Sequence, residues 1–368
     1  MEQYQSNIIS ILRAVVCRDG TTVPSDADWE KIWNFALRNH LEAAVYCAAP
    51  EEQKQKYQIT YYNLLARTVR QEALLEQIEK KLSACEISYG LQKGSLLKYD
   101  YPDACLRFMS DMDFYIDPEE RKAIRAAMES IGAVFTGTES GDEQFRFPGG
   151  LGIEFHGRLL YRKTDFGVEN YPDLTLLDES RNRLTEEGFA LNLIGHAVYD
   201  LSKGGPGLRY ILDCWIYRHR HEPQPDWDYV WERLRKDNIA AAARNLLDLS
   251  EYLFADGEET PLMREMTAYV MAGGLHGDAA RSAAVELAKA GGREKAVLRQ
   301  LFRNRTEFEN RYPWLHKHPY LLPLAWILRI ANSLHRHRGT IASWANNMKA
   351  VSKEEIRKQQ ERQSRFGL

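Results

Sequence analysis

Residues 53–84 form a stretch that contains neither proline nor glycine. Apolar side chains recur in it at intervals of mostly three and four residues, which is the spacing of one face of an α-helix. This stretch, together with shorter amphipathic segments before it, predicts that the first 85 residues are helical, with one long helix at their end. We expect the leucine-rich face of that helix to lie in a core. Its apolar positions are Leu64, Leu65, Val69, Leu74, Leu75, Ile78 and Leu82.

The pattern changes in the middle of the chain. Residues 87–91 are compatible with a short strand, and residues 111–117 alternate and end at Pro118, which favours the start of a helix. Residues 132–136, 144–147 and 151–156 then predict three short strands with glycine-rich turns between them. Helices interleaved with several short strands predict an α+β fold around one small mixed sheet.

After about residue 184 the spacing is helical again, including segments 189–201, 208–219 and 229–253. We therefore predict an N-terminal helical region (1–85), an α/β core (86–185), a C-terminal helical domain (186–345) and a basic tail (346–368). From Arg329 onwards Lys and Arg outnumber Glu. A solvated helix face is the favoured interpretation of that tail, with polyanion binding as the alternative.

Composition excludes several other classes of protein. The chain has 368 residues, 44% hydrophobic and 27% charged, with a formal net charge of -3, so no overall field favours nucleic acid. Its five cysteines are scattered and form no Cys-x-x-Cys pair, which suits a reducing compartment. The first residues do not resemble a signal peptide, and no window is apolar enough to cross a bilayer. We expect a soluble, cytoplasmic protein.

Three carboxylates are the strongest chemical signal. Asp111 and Asp113 lie two residues apart on a predicted strand, so their side chains share a face, about 7 Å apart at the Cα atoms. Two carboxylates this close repel unless a cation lies between them, and hard oxygen ligands suit Mg²⁺. Glu154 lies between apolar neighbours on a later strand and offers a third carboxylate. The alternative for the pair is a solvated strand face.

A Gly-Ser turn precedes these carboxylates. Gly94 lets the backbone approach a phosphate, and the Ser95 hydroxyl can donate to its oxygens, although a helix cap is the plainer interpretation. Lys93 and Arg107 are the nearest cations and can bind a triphosphate or pair with the carboxylates. His156 shares the face of Glu154 by alternation, so it can orient that carboxylate, touch substrate or be purely structural.

Taken in order, these motifs resemble a known group of enzymes. The segments are Gln92–Leu97, Tyr101–Pro102, Leu106–Arg107 and Ser110–Phe114, followed by 153–158, 196–213 and a C-terminal stretch from Tyr312. They are similar to the nucleotidyltransferase superfamily typified by DNA polymerase beta. More narrowly, they resemble poorly characterised bacterial nucleotidyltransferases with a Leu-Lys-Gly…Tyr-Pro…Arg…Asp-x-Asp signature. The resemblance covers most of the chain after about residue 60.

The resemblance implies a compact α/β core and transfer of a nucleoside monophosphate from an NTP to a hydroxyl, with Mg²⁺ or Mn²⁺ as cofactor. By its motif, Gly94 and Ser95 hold the triphosphate, and Asp111 and Asp113 bind metal. Glu154 takes the third-carboxylate position, as a metal ligand that also activates the acceptor hydroxyl. That position is often Asp in the superfamily, so the longer Glu154 is a departure.

The acceptor stays open at this stage. A small molecule or a protein side chain ranks slightly above RNA, because no basic patch accompanies the predicted core. The alternatives are a catalytically silent nucleotide-binding or interaction module, and a toxin-like nucleotidyltransferase that acts on RNA. Lys203–Arg209 resembles a phosphate loop but lacks the Gly-Lys-Ser/Thr ending.

Overall fold

The fold is described by a computed structural model in which the longest element is helix α4 (Glu51–Ala84), so the predicted long helix is confirmed. Its buried side chains include Leu64, Leu75 and Leu82. The prediction that Val69 lies in the core is wrong, because this side chain is exposed. The structure describes residues 2–23, 26–139, 142–157, 177–178, 180, 182–274, 279–302, 308, 312, 314–336, 348 and 350–368. The N-terminal helices are α1 (Gln3–Leu12), α2 (Trp29–Asn39), α3 (Glu42–Ala48) and α4 (Glu51–Ala84).

A five-stranded mixed sheet comes next in the chain, as the α+β prediction requires. The strands and their short helices are β1 (Tyr89–Leu91), α5 (Gly94–Leu97), β2 (Asp111–Ile116), α6 (Arg121–Ser130), β3 (Val134–Glu139), β4 (Asp142–Phe147) and β5 (Leu151–His156). The sheet order is β1-β2-β5-β4-β3, with β2 and β5 parallel and every other neighbouring pair antiparallel. The parallel pair brings two segments about 40 residues apart in sequence side by side.

The C-terminal part is helical, with one difference from the prediction. The prediction of a single helix over residues 229–253 is wrong, because one helix ends at Lys236 and the next begins at Ala240. Asn238 adopts a left-handed backbone with φ 58°, a conformation that asparagine tolerates and that ends a helix. The helices are α7 (Glu186–Lys203), α8 (Leu208–Arg220), α9 (Trp227–Lys236), α10 (Ala240–Phe254), α11 (Pro261–Met271), α12 (Ala279–Ala290), α13 (Arg293–Leu301), α14 (Trp314–Lys317), α15 (Leu322–Arg336) and α16 (Lys353–Arg365).

Two hydrophobic cores lie on opposite faces of the sheet. One face of β2 and β5, which includes Phe114 and Ile153, packs on the C-terminal half of α4 and on α6. The other core joins α1–α3 to α7–α11 and includes Tyr115 of β2. Side chains alternate along a strand, so Asp111 and Asp113 share the face of Tyr115. That face is turned towards the core formed by α1–α3 and α7–α11 (the helical core) and away from the core under α4 and α6.

The basic C-terminal segment is docked on the helical part. Arg362 and Arg365 of α16 both pair with Glu265 of α11, and Phe366 is buried in the helical core. Both arginine side chains are partly exposed, so these pairs add little stability individually. The tail is therefore a packed helix with one solvated face. Across the described residues, no helix combines the length and the apolar character that crossing a membrane requires.

A histidine clamp (His221, Asp100 and Glu186) ties the segment after α5 to α7 and α8. The two ring nitrogens of His221 lie 2.7 Å from Asp100 Oδ2 and 2.7 Å from Glu186 Oε2. Burial lowers the pKa of His221, but the hydrogen bonds to the two carboxylates outweigh it and raise the pKa to about 9. The clamp is a charged, mostly buried link between the sheet module and the helices.

We expect this clamp to make stability depend on pH. Because the folded pKa of about 9 lies above the ordinary value of 6.5, the contribution is complete below about pH 6.5 and is lost as pH rises through 9. With Glu186 partly exposed, the contribution is on the order of 1 kcal/mol. Urea denaturation of the wild type and His221→Gln should show a stability gap at pH 6.5 that closes by pH 9.5. His219→Gln, at an exposed histidine, is the control; a constant gap contradicts the prediction.

Candidate active site

The parallel pairing of β2 and β5 assembles the predicted carboxylates. Asp113 is directly beside Glu154 in the register, and Asp111 is beside Gly152. The loop before β2 is held by α4, because Gln71 donates to the carbonyl of Met109 at 3.0 Å and Arg67 donates to the same oxygen at 3.2 Å. The long helix therefore fixes where β2 begins and, with it, the position of the first carboxylate.

Asp113 is the centre of the arrangement. Its Oδ1 lies 2.9 Å from Lys93 Nζ and 2.8 Å from His156 Nε2, and the side chain is 9% exposed. Burial acts to raise the pKa of Asp113, but the charge of Lys93 and the hydrogen bond from His156 outweigh it and hold the pKa well below its usual range. Asp113 is therefore ionised at any pH at which the protein functions.

His156 connects Asp113 to the next strand. Its Nδ1 lies 3.2 Å from Asp142 Oδ2 of β4, while its Nε2 also lies 3.7 Å from Glu154 Oε2. Burial lowers the pKa of His156, and the hydrogen bonds to Asp113 and Asp142 raise it to about 9 overall. In this state the ring is a cation between two carboxylates, which accounts for a buried histidine on this face.

Glu154 is held by a neighbour in the sheet. Gln144, its register partner on β4, donates from Nε2 to Glu154 Oε1 at 2.9 Å. The other oxygen is thereby turned towards His156. Burial raises the pKa of Glu154, the charge of His156 lowers it, and Asp111 raises it further, with a net increase. A carboxylate with a raised pKa is a better proton acceptor than an ordinary glutamate.

A group of three side chains could hold a metal ion. One donor atom from each of Asp113, Glu154 and His156 can be chosen so that all three lie within 4.8 Å of one another, the only such group among the residues described. Asp111 lies outside this group. Its Oδ1 accepts a hydrogen bond from the Ser110 hydroxyl at 2.7 Å, and the side chain is half-buried at the edge of the site.

The turn after β1 brings Lys93 to Asp113. The amide of Gln92 donates to the carbonyl of Asp113 at 3.1 Å, so β-type pairing continues up to the turn. Lys93 then has φ 48° and ψ -126°. Glycine adopts this backbone conformation readily, whereas it costs any other residue about 1–3 kcal/mol. Strain of this size at a lysine whose amine reaches Asp113 fits a functional constraint on both backbone and side chain.

Gly94 and Ser95 are tightly enclosed. A Cβ on Gly94 would lie 2.9 Å from Met109 Cγ and 3.0 Å from Arg107 Nη1, so no larger residue fits without movement. Ser95 is 1% exposed, and within the described chain its hydroxyl has no hydrogen-bond partner. A buried hydroxyl without a partner in this turn is a donor available to a ligand that enters the turn.

Arg107 lies behind the turn and not among the carboxylates. Its Nε is 2.7 Å from Asp213 Oδ1 of α8, and its Nη1 donates to the carbonyl of Phe108 at 2.7 Å. Tyr101 donates to the same Asp213 oxygen at 2.6 Å. This buried network joins the sheet module to α8. The Arg107 guanidinium also lies directly against Gly94, where an added Cβ would be 3.0 Å from Nη1.

Other side chains near the site carry no simple sequence signal. Asp200 of α7 and Tyr210 of α8 are hydrogen-bonded to each other and lie close enough to Lys93 for its charge to affect the pKa of each. Burial raises the pKa of Asp200 to about 6. Alternation along β5 is enough to find His156, whereas Asp142, Gln144 and Asp200 are missed, because only the folded pairing of strands and helices brings them here.

The glycine-rich loop after α7 has a structural explanation. Gly204 and Gly205 have φ of 139° and 110°, and a Cβ on Gly205 would lie 2.9 Å from the Tyr269 ring. Arg281 of α12 donates to the carbonyls of Gly204 and Tyr269 at 3.2 and 2.8 Å. The loop is therefore packed against α11 and α12.

Comparison with known proteins identifies one family. Residues 25–255 match the family described as "Uncharacterised nucleotidyltransferase", and this segment contains the three carboxylates, His156 and the Gly94-Ser95 turn. No curated protein and no solved structure matches the chain significantly. Since the matched segment is more than half of the 368 residues, the chain belongs to this family of uncharacterised nucleotidyltransferases.

Proposed function

We propose that the protein is a divalent-metal-dependent enzyme of the DNA polymerase beta-like superfamily, which transfers a nucleoside monophosphate from an NTP to a hydroxyl group. The observation that carries the proposal is the register of β2 with β5, which sets Asp113 beside Glu154 on the face that also bears Asp111. Three carboxylates on two adjacent strands form the donor set that a metal-bound triphosphate needs.

The residues divide into two groups around the triphosphate. Asp111, Asp113 and Glu154 hold Mg²⁺ or Mn²⁺, which when bound neutralises the phosphates and lowers the pKa of the attacking hydroxyl. The backbone of Gly94 and the hydroxyl of Ser95 donate to phosphate oxygens. Lys93 exchanges its contact with Asp113 for the negative charge of the triphosphate.

Transfer follows from this placement. The acceptor oxygen forms a bond to the α-phosphorus, the bond from that phosphorus to the bridging oxygen breaks, and pyrophosphate leaves. Glu154 takes the proton of the acceptor hydroxyl, consistent with the increase that burial produces in its pKa. Most of the rate enhancement then comes from positioning and from fixed charges.

The acceptor is a small molecule or a protein side chain. The site face is turned towards α7 and α8, whose Asp200 and Tyr210 present a carboxylate and a phenol near Lys93. A carboxylate at this position disfavours a polyanionic acceptor such as RNA, because it repels a phosphate backbone. Small acceptors with hydroxyl or amino groups can instead hydrogen-bond to both side chains.

The test uses the full chain, each of the four α-labelled NTPs in turn, Mg²⁺ or Mn²⁺, and a cell lysate. We expect metal-dependent label in the small-molecule or protein fraction, and none with Asp111→Ala/Asp113→Ala. Label in RNA, with growth arrest that the double variant relieves, would instead support the toxin-like alternative. Nucleotide binding that ignores metal and survives the double variant would support the silent module. Asp248→Ala, at an exposed site on α10, is the matched control.

Ser95→Ala gives a separate prediction for the phosphate-binding turn. Since the hydroxyl has no partner in the described structure, its removal should leave the free energy of unfolding unchanged or slightly higher. The Kd of the metal-bound NTP should rise about tenfold, through loss of one charge-assisted hydrogen bond. Isothermal titration and urea denaturation measure the two effects. Ser250 is a buried serine whose hydroxyl donates within α10, so Ser250→Ala should lower the free energy of unfolding and leave the Kd unchanged. An unchanged Kd in Ser95→Ala removes this residue from the site.

A further inference from the structure

We infer that His156 is a metal ligand through Nε2, and that Asp113, Glu154 and His156 together form a mixed nitrogen and oxygen site that prefers a first-row transition-metal ion to Mg²⁺. The inference rests on the proposed metal-dependent function and names the ion class that the site selects. It starts from the three side chains whose donor atoms converge within 4.8 Å.

The distances between donor atoms suit one ion. His156 Nε2 lies 2.8 Å from Asp113 Oδ1 and 3.7 Å from Glu154 Oε2. Ligands about 2.1 Å from a metal, at neighbouring positions around it, are separated by about 3 Å, and opposite ligands by about 4 Å. A metal bound here would displace the proton that His156 Nε2 shares with Asp113 Oδ1.

The second nitrogen of the ring is held as metal-binding histidines require. Asp142 Oδ2 lies 3.2 Å from Nδ1, and a carboxylate on this nitrogen fixes the tautomer that leaves the Nε2 lone pair for a metal. Gln144 plays the corresponding part for Glu154, because it binds Oε1 and leaves Oε2 towards the ring. Both supporting side chains come from β4, on the face shared with the site.

The Asp113 carboxylate already contacts a cation, the Lys93 ammonium. Lys93 Nζ lies 2.9 Å from Asp113 Oδ1, so in this conformation an ammonium neutralises the oxygen that the metal would share with His156. A positive charge therefore already occupies part of the site. An imidazole ligand shifts such a site towards Mn²⁺, Fe²⁺ or Zn²⁺, because Mg²⁺ favours oxygen ligands and water.

Pulsed electron paramagnetic resonance of Mn²⁺ on the full-length wild type tests the inference without a variant. In protein grown with ¹⁴N-histidine we expect a hyperfine coupling from a directly bound nitrogen, which changes to the ¹⁵N pattern when histidine alone is labelled. Bound Mn²⁺ that is lost in Asp113→Asn but shows no nitrogen coupling overturns the inference and leaves the proposed function standing. Mn²⁺ binding that is indifferent to Asp113→Asn contradicts the proposed function itself.

Titrations with Mn²⁺ and Mg²⁺ test the preference. His156→Gln keeps a hydrogen-bonding side chain, so a histidine that only positions Asp113 would leave the ratio of the two Kd values unchanged. We expect the Kd of Mn²⁺ to rise about a hundredfold and that of Mg²⁺ to change far less, so that the preference disappears. Asp142→Asn should weaken Mn²⁺ about tenfold through the ring orientation. A wild type that binds Mg²⁺ as tightly as Mn²⁺ overturns the inference.

Discussion

Asp113→Asn is expected to lower the rate of nucleotidyl transfer by about a thousandfold or more, equivalent to about 4 kcal/mol of transition-state stabilisation. The substitution keeps the size of the side chain but removes the charge. Asp113 lies in contact with both Lys93 and His156, so its charge acts on both of these cations. Its pKa lies far below the usual range, and its charge is present at every working pH.

Stability must be separated from catalysis in this variant, because the loss of Asp113 leaves two buried cations without their shared partner. Asp111→Asn provides that separation. Asp111 is half-buried and accepts a hydrogen bond from the neighbouring Ser110 hydroxyl, so its substitution should change the free energy of unfolding by less than about 0.5 kcal/mol. It should nevertheless reduce metal-dependent transfer.

Incorporation of α-label into the acceptor fraction, together with urea denaturation, measures both quantities for each variant. Asp248→Asn on α10 is the charge-matched control and should leave both unchanged. A folded Asp113→Asn that still transfers nucleotide at the wild-type rate contradicts the assignment of Asp113 to the metal site.

Local sequence patterns are enough to predict the elements that carry the carboxylates. The absence of proline and glycine over residues 53–84 predicts α4, and the alternation of Asp111 to Ile116 predicts β2. Each depends on side-chain periodicity within one element. The break at Asn238 escapes prediction, because a single left-handed residue interrupts a helix without disturbing its apolar spacing.

Partners across elements are less accessible to sequence. That Asp113 lies beside Glu154 follows from the parallel register of β2 and β5, which no local pattern specifies. The support of His156 by Asp142 has the same origin, since it needs β4 next to β5. The motif also suggests Arg107 for nucleotide binding. A buried arginine can face the site or support it from behind, and the sequence does not reveal that Arg107 pairs with Asp213.

Arg107→Leu is accordingly expected to destabilise the protein by about 3–5 kcal/mol, because it removes the ion-pair partner of the buried Asp213. Asp213 is 0% exposed and keeps the Tyr101 hydroxyl, which donates a hydrogen bond, and the more distant charge of Arg209. Urea denaturation measures the loss. Arg146→Leu, at an exposed arginine on β4, should cost less than about 0.5 kcal/mol.

The pairing itself is measured by a double-mutant cycle. Arg107→Leu/Asp213→Leu removes both charges, so it should be less destabilising than the sum of the two single variants, by a coupling energy of about 2–3 kcal/mol. Arg107→Lys then separates support from nucleotide contact. If Arg107 only supports the Gly94 turn, the lysine variant loses stability, since one ammonium cannot reach Asp213 and the Phe108 carbonyl in the same fork geometry. If Arg107 also contacts the triphosphate, the Kd of the NTP rises in addition, an outcome that would return Arg107 to the nucleotide site.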